Sequence, residues 1–294
     1  MNKKVMLGTG AAAMAAMLAG CGGGGGGMSG QVKLAIADAP VDEATAVVVQ
    51  FTGVELQPAG GERIDVDFAA PRQIDLLALQ GGDSALLLDG VTVPAGRYNF
   101  IRLKVQTSRT TTESYIDLDD GSTHPLFIPS GAESGLKLNR GFTVPAGGLA
   151  DFTIDFDLRK SVHEPQNPGD AYLLRPTLRI VDNRQVGEIA GTVDAALAGV
   201  TGCTPAVYGY AGAGVTPDDV DGTPAEPVAT ATVLPPDATN SDYRYTLAFL
   251  EAGTYTVAFT CDAATDQPGS SETLVFAGAQ DATVTADATT TVDF

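Results

Sequence analysis

Three cysteines and two histidines are all the chain has for thiol or imidazole chemistry. His124 precedes Pro125, and His163 lies in the Pro-containing stretch 161–169. They fall short of a three-histidine catalytic zinc site, and no His-Glu-x-x-His spacing exists. A triad of Ser130, His163 and an aspartate can be drawn. However, Ser130 sits in Pro129-Ser130-Gly131-Ala132-Glu133-Ser134-Gly135, which is not a nucleophile elbow and has no helical pattern after it. Acids are plentiful, 36 against 17 bases, so a glycosidase pair is not excluded, but no spacing selects one. Three acidic groups suit a hard cation better, namely Asp151/Asp155/Asp157 and two loops. Asp117, Asp119 and Asp120 precede Gly121, and Asp218, Asp219 and Asp221 precede Gly222. Calcium takes six to eight oxygens from a compact loop that often turns at a glycine. Neither loop has the EF-hand spacing or its closing Glu, and Asp-Gly is also the common hairpin turn, so calcium and turn chemistry both stand. Asp151, Asp155 and Asp157 share a strand face, as a solvated edge or as half of an ion-pair row with Arg159 and Lys160. Tyr208/Tyr210 and Tyr243/Tyr245 are i,i+2 pairs that suit either a sugar-stacking platform or sandwich packing.

Cys21 stands in a more specific setting. Met1-Asn2-Lys3-Lys4 is basic, and Val5 to Gly20 carries no charge. That apolar run is too short and too rich in Gly and Ala for a convincing transmembrane helix and fits the core of a signal peptide. Leu18-Ala19-Gly20-Cys21 matches the bacterial lipobox. This implies that the thiol takes up diacylglycerol, the peptide is cut before Cys21, and the new amine is acylated. More than one acyl chain makes such an anchor stable. Gly22, in place of Asp, implies passage to the outer membrane. Gly22 to Gly27 is an unbroken glycine run and reads as a flexible tether. Residues 1–20 are thus the expected signal peptide, and 21–30 the lipidated cysteine and tether. Export places Cys203 and Cys261 in an oxidising compartment, where two cysteines in one unit are expected to pair.

The elements that would position these groups are short apolar runs separated by Gly, Pro, Asp and Asn. Val32–Ile36, Phe100–Val105 and Asp151–Leu158 alternate, and Ala46–Phe51 is nearly continuous and β-branched. Period 2 and β-branching predict strands. Arg72–Leu79 and Ser84–Leu88 are the local helix candidates. Three similar phrases, at Val93-Pro94-Ala95-Gly96, Val144-Pro145-Ala146-Gly147 and Leu250-Glu251-Ala252-Gly253, predict tight turns entering strands. With 44% hydrophobic and 18% charged residues, the composition is that of a folded chain. A net charge of −19 disfavours nucleic acid as a partner. Composition breaks near Val186-Gly187. Residues 31–185 hold 21 acids and 14 bases, whereas 186–294 hold 15 acids and one base, Arg244. The expected fold class is all-β, with two antiparallel β-sandwich domains, 31–185 and 186–294, after the signal peptide and glycine linker.

Several phrases of the first domain carry a resemblance. They are Ala37-Asp38-Ala39-Pro40-Val41-Asp42, Val47–Phe51 with Gly53-Val54-Glu55-Leu56, and Ile74–Gly81. They continue with Val93–Tyr98, Ser134-Gly135-Leu136-Lys137, Asp155–Ser161 and Tyr172–Arg179. In that order, over about 30–183, the chain resembles the domain-of-unknown-function 4382 family of bacterial lipoproteins. The resemblance implies envelope location and a β-rich fold, and brings no activity. The second domain more weakly resembles transthyretin-like modules related to carboxypeptidase regulatory domains. The phrases are Gly187–Val193, Tyr245–Leu247 with Leu250–Phe259, and Thr283–Phe294. That resemblance implies a seven-stranded sandwich, from which the Pro/Asp/Gly-rich stretch 201–232 departs. The functional expectation is a lipid-anchored cell-envelope protein without catalysis, acting by binding or as a structural element. A carbohydrate-binding accessory lipoprotein and a calcium-assisted adhesin are the alternatives, and a hydrolase ranks third. Calcium is the one cofactor suggested. The expected partners are the membrane, through the anchor, and an envelope protein or polysaccharide.

Overall fold

The computed structural model describes residues 28–39, 44–129, 131, 135–165, 167 and 169–294, so the expected signal peptide and Cys21 lie outside the described residues. Among the described residues, twenty strands follow in chain order. The first run is β1 (Ser29–Ala39), β2 (Ala44–Pro58), β3 (Ile64–Asp75), β4 (Ala85–Pro94), β5 (Gly96–Gln106), β6 (Tyr115–Leu118) and β7 (Thr123–Phe127). It continues with β8 (Leu136–Leu138), β9 (Phe142–Val144), β10 (Leu149–Asp157), β11 (Val162–His163), β12 (Tyr172–Leu174) and β13 (Thr177–Asp182). After these come β14 (Val186–Val193), β15 (Ala206–Ala211), β16 (Ala229–Thr232), β17 (Tyr243–Glu251), β18 (Gly253–Thr260), β19 (Phe276–Val284) and β20 (Thr289–Thr291). One helical turn, α1 (Leu158–Ser161), follows β10 directly.

The strands form four sheets. One has the order β13-β10-β1-β4, and a nine-stranded sheet is built around β2, which pairs with β3, β5 and β6. The third has the order β17-β14-β20 and the fourth β16-β15-β18-β19. Among the described residues, β1 to β13 pair only with one another, and so do β14 to β20. The apolar clusters divide at the same place. Alternate residues of β1 (Val32, Leu34, Ile36) meet Val47, Val49 and Phe51 of β2 in one core. Ile189, Val207, Leu247 and Val257 centre a second core between the two later sheets. β15 sends its alternate residues Ala206, Tyr208 and Tyr210 to a third cluster on the other face of its sheet, as the period-2 geometry of a strand requires.

All-β architecture is therefore observed, and the expected strands at 32–36, 46–51 and 100–105 lie in β1, β2 and β5, while that at 151–158 is β10 up to Asp157, with Leu158 opening α1. The three Pro/Gly phrases join β4 to β5, β9 to β10 and β17 to β18. Three differences stand out. Arg72–Leu79 is not a helix: Arg72 to Asp75 continue β3, and only Leu77–Leu79 makes a 3-10 turn. Ladder bonds to β2 and the Asp75 carboxylate, which accepts from the Val47 and Leu77 amides, outweigh local helix propensity here. Ser84–Leu88 likewise gives way to β4, which pairs with β1. Nor is the pairing wholly antiparallel. β1 runs parallel to β10, β7 to β12 and β14 to β20. In each case the partner comes from a distant part of the chain, which no local pattern encodes.

Candidate functional site

The two halves meet at α1. Asp157 caps the turn by accepting from the Lys160 amide at 3.1 Å, and Ser161 Oγ accepts from the Thr177 amide at 2.9 Å, which ties the turn to β13. So held, Arg159 extends out of the first half and is only 6% exposed. Its Nη1 donates to Asp266 Oδ2 at 3.2 Å and to the Tyr208 hydroxyl. Tyr208 in turn donates to Asp266, whose other oxygen accepts from the Val220 amide at 2.9 Å. Burial, the largest influence, raises the Tyr208 pKa far above its ordinary value, so the phenol stays a donor. Lys160 makes a parallel bridge to Glu226, and Arg140 a more exposed one to Glu251 at 3.3 Å.

Beside this bridge lies a cleft of about 210 Å³ between the halves. Asp155, Arg159, Lys160 and Arg179 line it from the first half, and Thr230 and Arg244 from the second. Arg179 Nη2 donates to Asp155 Oδ2 at 2.6 Å across the β10–β13 ladder. Burial raises the Asp155 pKa, and the Arg179 charge partly offsets it. Arg244, the single base of the second half, donates to Asp237 at 2.6 Å.

Asp266 also belongs to a second group. Asp219, Asp266 and Glu272 each offer a carboxylate oxygen, all within 4.8 Å of one another. Asp219 and Asp266 are each 1% exposed, and Glu272 is half-buried. The Glu272 amide donates to Asp219 Oδ2, while Asp219 Oδ1 is buried without a hydrogen-bond partner.

The structure sorts the residues expected from the sequence. Cys203 and Cys261 form the disulfide, across a separation of 58 residues. The acidic loops do not gather as written. Asp117 accepts from Thr123 Oγ1, and Asp120 from the Ser122 amide, inside the β6–β7 hairpin that Gly121 closes. Asp119 lies in the same turn. Asp218 accepts from the Asp219 amide, and Asp221 from Thr223, so each spends its oxygens on its own loop. Only Asp219 of the six turns into a carboxylate cluster, and its partners come from 47 and 53 residues further along. No local spacing could have named them.

The tyrosines need correction as a stacking platform. Tyr208, Tyr210 and Tyr245 are at most 2% exposed. A platform needs an open ring face, whereas Tyr208 and Tyr210 pack edge-on against Phe276 and Tyr245 donates to Val292 O at 2.8 Å. Tyr243 is half-buried at the edge of the second core. Of the drawn triad, Ser130 lies outside the described residues. His163 pairs with Leu173 in β11, and burial together with Arg175 lowers its pKa. The acids of β10 are an ion-pair row: Asp151 with Lys33, Asp155 with Arg179 and Asp157 with Lys160. Arg159 does not join that row and crosses to Asp266 instead. Sequence reasoning missed this role, since nothing local distinguishes Arg159 from its neighbour Lys160.

The comparisons with known proteins bear on the first half. A family described as Domain of unknown function (DUF4382) matches residues 29–176, from β1 through β12 and α1 with its Arg159. The chain belongs to this family. No curated protein matches the chain. Among solved structures, a leucine-rich repeat protein from Bacteroides thetaiotaomicron shares 12% identity over 91% of this chain, with a TM-score of 0.22. This chain spans 26% of the length of that protein. The minor pilin of Streptococcus agalactiae shares 11% identity over 89% of this chain and 94% of its own, with a TM-score of 0.20. The shaft pilin of Lactobacillus rhamnosus GG shares 12% over 91% and 97%, also with 0.20. Likeness at these scores carries no argument about function.

Proposed function

We propose that the protein is a lipid-anchored bacterial envelope protein, held at the outer membrane, that acts by binding or as a structural element and not by catalysis. The observation that carries this reading is the lipobox Leu18-Ala19-Gly20-Cys21 followed at once by the glycine run. That run ends at Gly27, two residues before β1 begins at Ser29, so the anchor leads into an inner strand of the first sheet. Membership in the DUF4382 family supports the reading for the first half. Residues 31–185 and 186–294 act in it as two domains. The second, with seven strands in two sheets and a disulfide, serves as a transthyretin-like module locked to the first through Arg159. The expected partners are an envelope protein or polysaccharide beyond the membrane itself.

The test is Cys21→Ser in cells fed labelled fatty acid. The native chain takes up label and sediments with outer membranes, and the variant does neither. A variant that is still labelled and membrane-bound refutes the anchor. A second reading, capture of a polysaccharide, draws support from the cleft, whose paired carboxylates and guanidinium groups face a sugar-sized space. Retention on envelope polysaccharide, lost with Thr230→Trp, would support it, and unchanged retention would exclude the cleft.

A further inference from the structure

The carboxylates of Asp219, Asp266 and Glu272 carry more negative charge than their surroundings neutralise. Two of the three are 1% exposed. Burying an ionised carboxylate is costly unless it is paired and hydrogen-bonded. Asp266 meets both conditions, with Arg159, Tyr208 and the Val220 amide around it. Asp219 meets only half of them. Its Oδ2 accepts from the Glu272 amide, but Oδ1 has no donor, and no ion pair reaches Asp219 or Glu272 among the described residues. Of the three carboxylates only Asp266 meets a guanidinium, and a buried oxygen of Asp219 is left without a hydrogen-bond partner.

We propose that Asp219, Asp266 and Glu272 form a binding site for one calcium ion. Ca²⁺ accepts oxygens at 2.3–2.6 Å, so two ligands on opposite sides of it lie about 4.6–5.2 Å apart. Oxygens gathered within 4.8 Å of one another are close enough to share one such ion. Mg²⁺ demands a near-ideal octahedron at about 2.0–2.1 Å and gives up its waters reluctantly, so a site built of three carboxylates suits it less. The chain supplies three carboxylates, and half-buried Glu272 is the side from which water completes the shell and the ion enters. The site differs from the loop spelled by Asp218, Asp219 and Asp221, because its other two ligands come from beyond β18. It also has a structural consequence. Asp266 is shared between the ion and Arg159, so the ion sits beside the bridge between the halves. Nothing in this proposal depends on the lipid anchor.

The experiment is calorimetric titration of CaCl₂ into the full chain after chelator treatment, with melting curves at each point. One ion per chain is expected, with a dissociation constant of about 1 mM or below and a rise in melting temperature reversed by chelator. MgCl₂ should bind at least tenfold more weakly. Asp219→Asn keeps the shape and the oxygen that meets the Glu272 amide. It should weaken calcium at least tenfold, yet raise the melting temperature of the chelated protein, because it removes an unpaired buried charge. A purely structural aspartate predicts the opposite sign in chelator. Glu272→Gln, at the half-buried position, gives the same loss of binding should the Asn variant fail to fold. Asp120→Asn, in the β6–β7 hairpin, should leave binding unchanged. No heat at 10 mM calcium, or equal affinity in the Asp219→Asn and Glu272→Gln variants, overturns the proposal.

Discussion

Replacing Arg159 by Met removes the charge that joins the halves while keeping most of the apolar stem. In the native chain the guanidinium is 6% exposed, and the carboxylate it meets at 3.2 Å is 1% exposed. After the change, Asp266 keeps Tyr208 and the Val220 amide but loses its counter-charge. Breaking a buried pair by removing one partner costs about 3–5 kcal/mol, because an uncompensated charge stays behind. Every 1.4 kcal/mol is tenfold, so the ratio of folded to unfolded chains falls by a factor of roughly 10²–10⁴. The comparison is Arg140→Met, whose bridge to Glu251 has both side chains more than half exposed. Exposed pairs contribute about 0–1 kcal/mol, so the two variants should differ several-fold in their effect. The assay is urea unfolding in chelator, followed by tyrosine fluorescence and by far-ultraviolet dichroism. Because the bridge spans the junction, Arg159→Met should also separate one transition into two. Adding Asp266→Asn should restore most of the loss, since the stranded charge goes with it. A loss below about 1 kcal/mol, or one equal to that of Arg140→Met, would refute the view that this buried bridge couples the halves.

Three further outcomes are expected. Cys203→Ala with Cys261→Ala opens a loop of 58 residues, which in the chain-entropy model lowers stability by about 4 kcal/mol. Urea midpoints of the native and double-Ala chains check this, and equal midpoints would count against it. Acid should destabilise the fold. Bonds from Lys104 to Asp65, from Arg184 to Asp182 and from Thr239 to Asp237 hold these carboxyls below their ordinary value of 3.8. The unfolded chain then binds more protons, so this stability is complete above 3.8 and is lost as pH falls through the lower folded values. Asp155, raised by burial, works in the other direction but is one group against three. Melting temperatures should drop below about pH 4, and a flat or rising profile there contradicts the assignment. Gly191→Ala should open the parallel β14–β20 pair, because a Cβ would come within 1.8 Å of Val292 O. The amides of Glu188–Ala190 and Thr289–Thr291 would then exchange faster, and unchanged protection would show that the edge can yield at no cost.

Local pattern carried far in this chain. Alternation and β-branching at 32–36, 46–51, 100–105 and 151–158 marked strands, all but the last residue Leu158, because the residues facing one core recur every second position. The Pro/Gly phrases marked turns because those residues fix or free the backbone where a strand must reverse. The failures have physical causes too. Arg72 to Asp75 have a local helical reading, but the ladder to β2 and the Asp75 carboxylate, which accepts from the β2 amide of Val47 and from Leu77 of the following turn, outweigh it. The tyrosine pairs gave the spacing of a shared face without saying whether that face was open. It is closed, by Phe276 in one case and by the second core in the other.

The sequence by itself determined the lipobox-like phrase ending at Cys21, the glycine run after it, the all-β class, the cysteine pair and the break in charge near residue 186, because each is a matter of composition or short-range period. Tertiary structure alone decided which acids meet. Asp219 finds Asp266 and Glu272, and Arg159 finds Asp266 across 107 residues, while Asp117, Asp218 and Asp221 spend their oxygens inside their own turns. The field at a carboxylate is set by what lies within a few ångströms of it, and in a sheet protein those neighbours come from strands far apart in the chain.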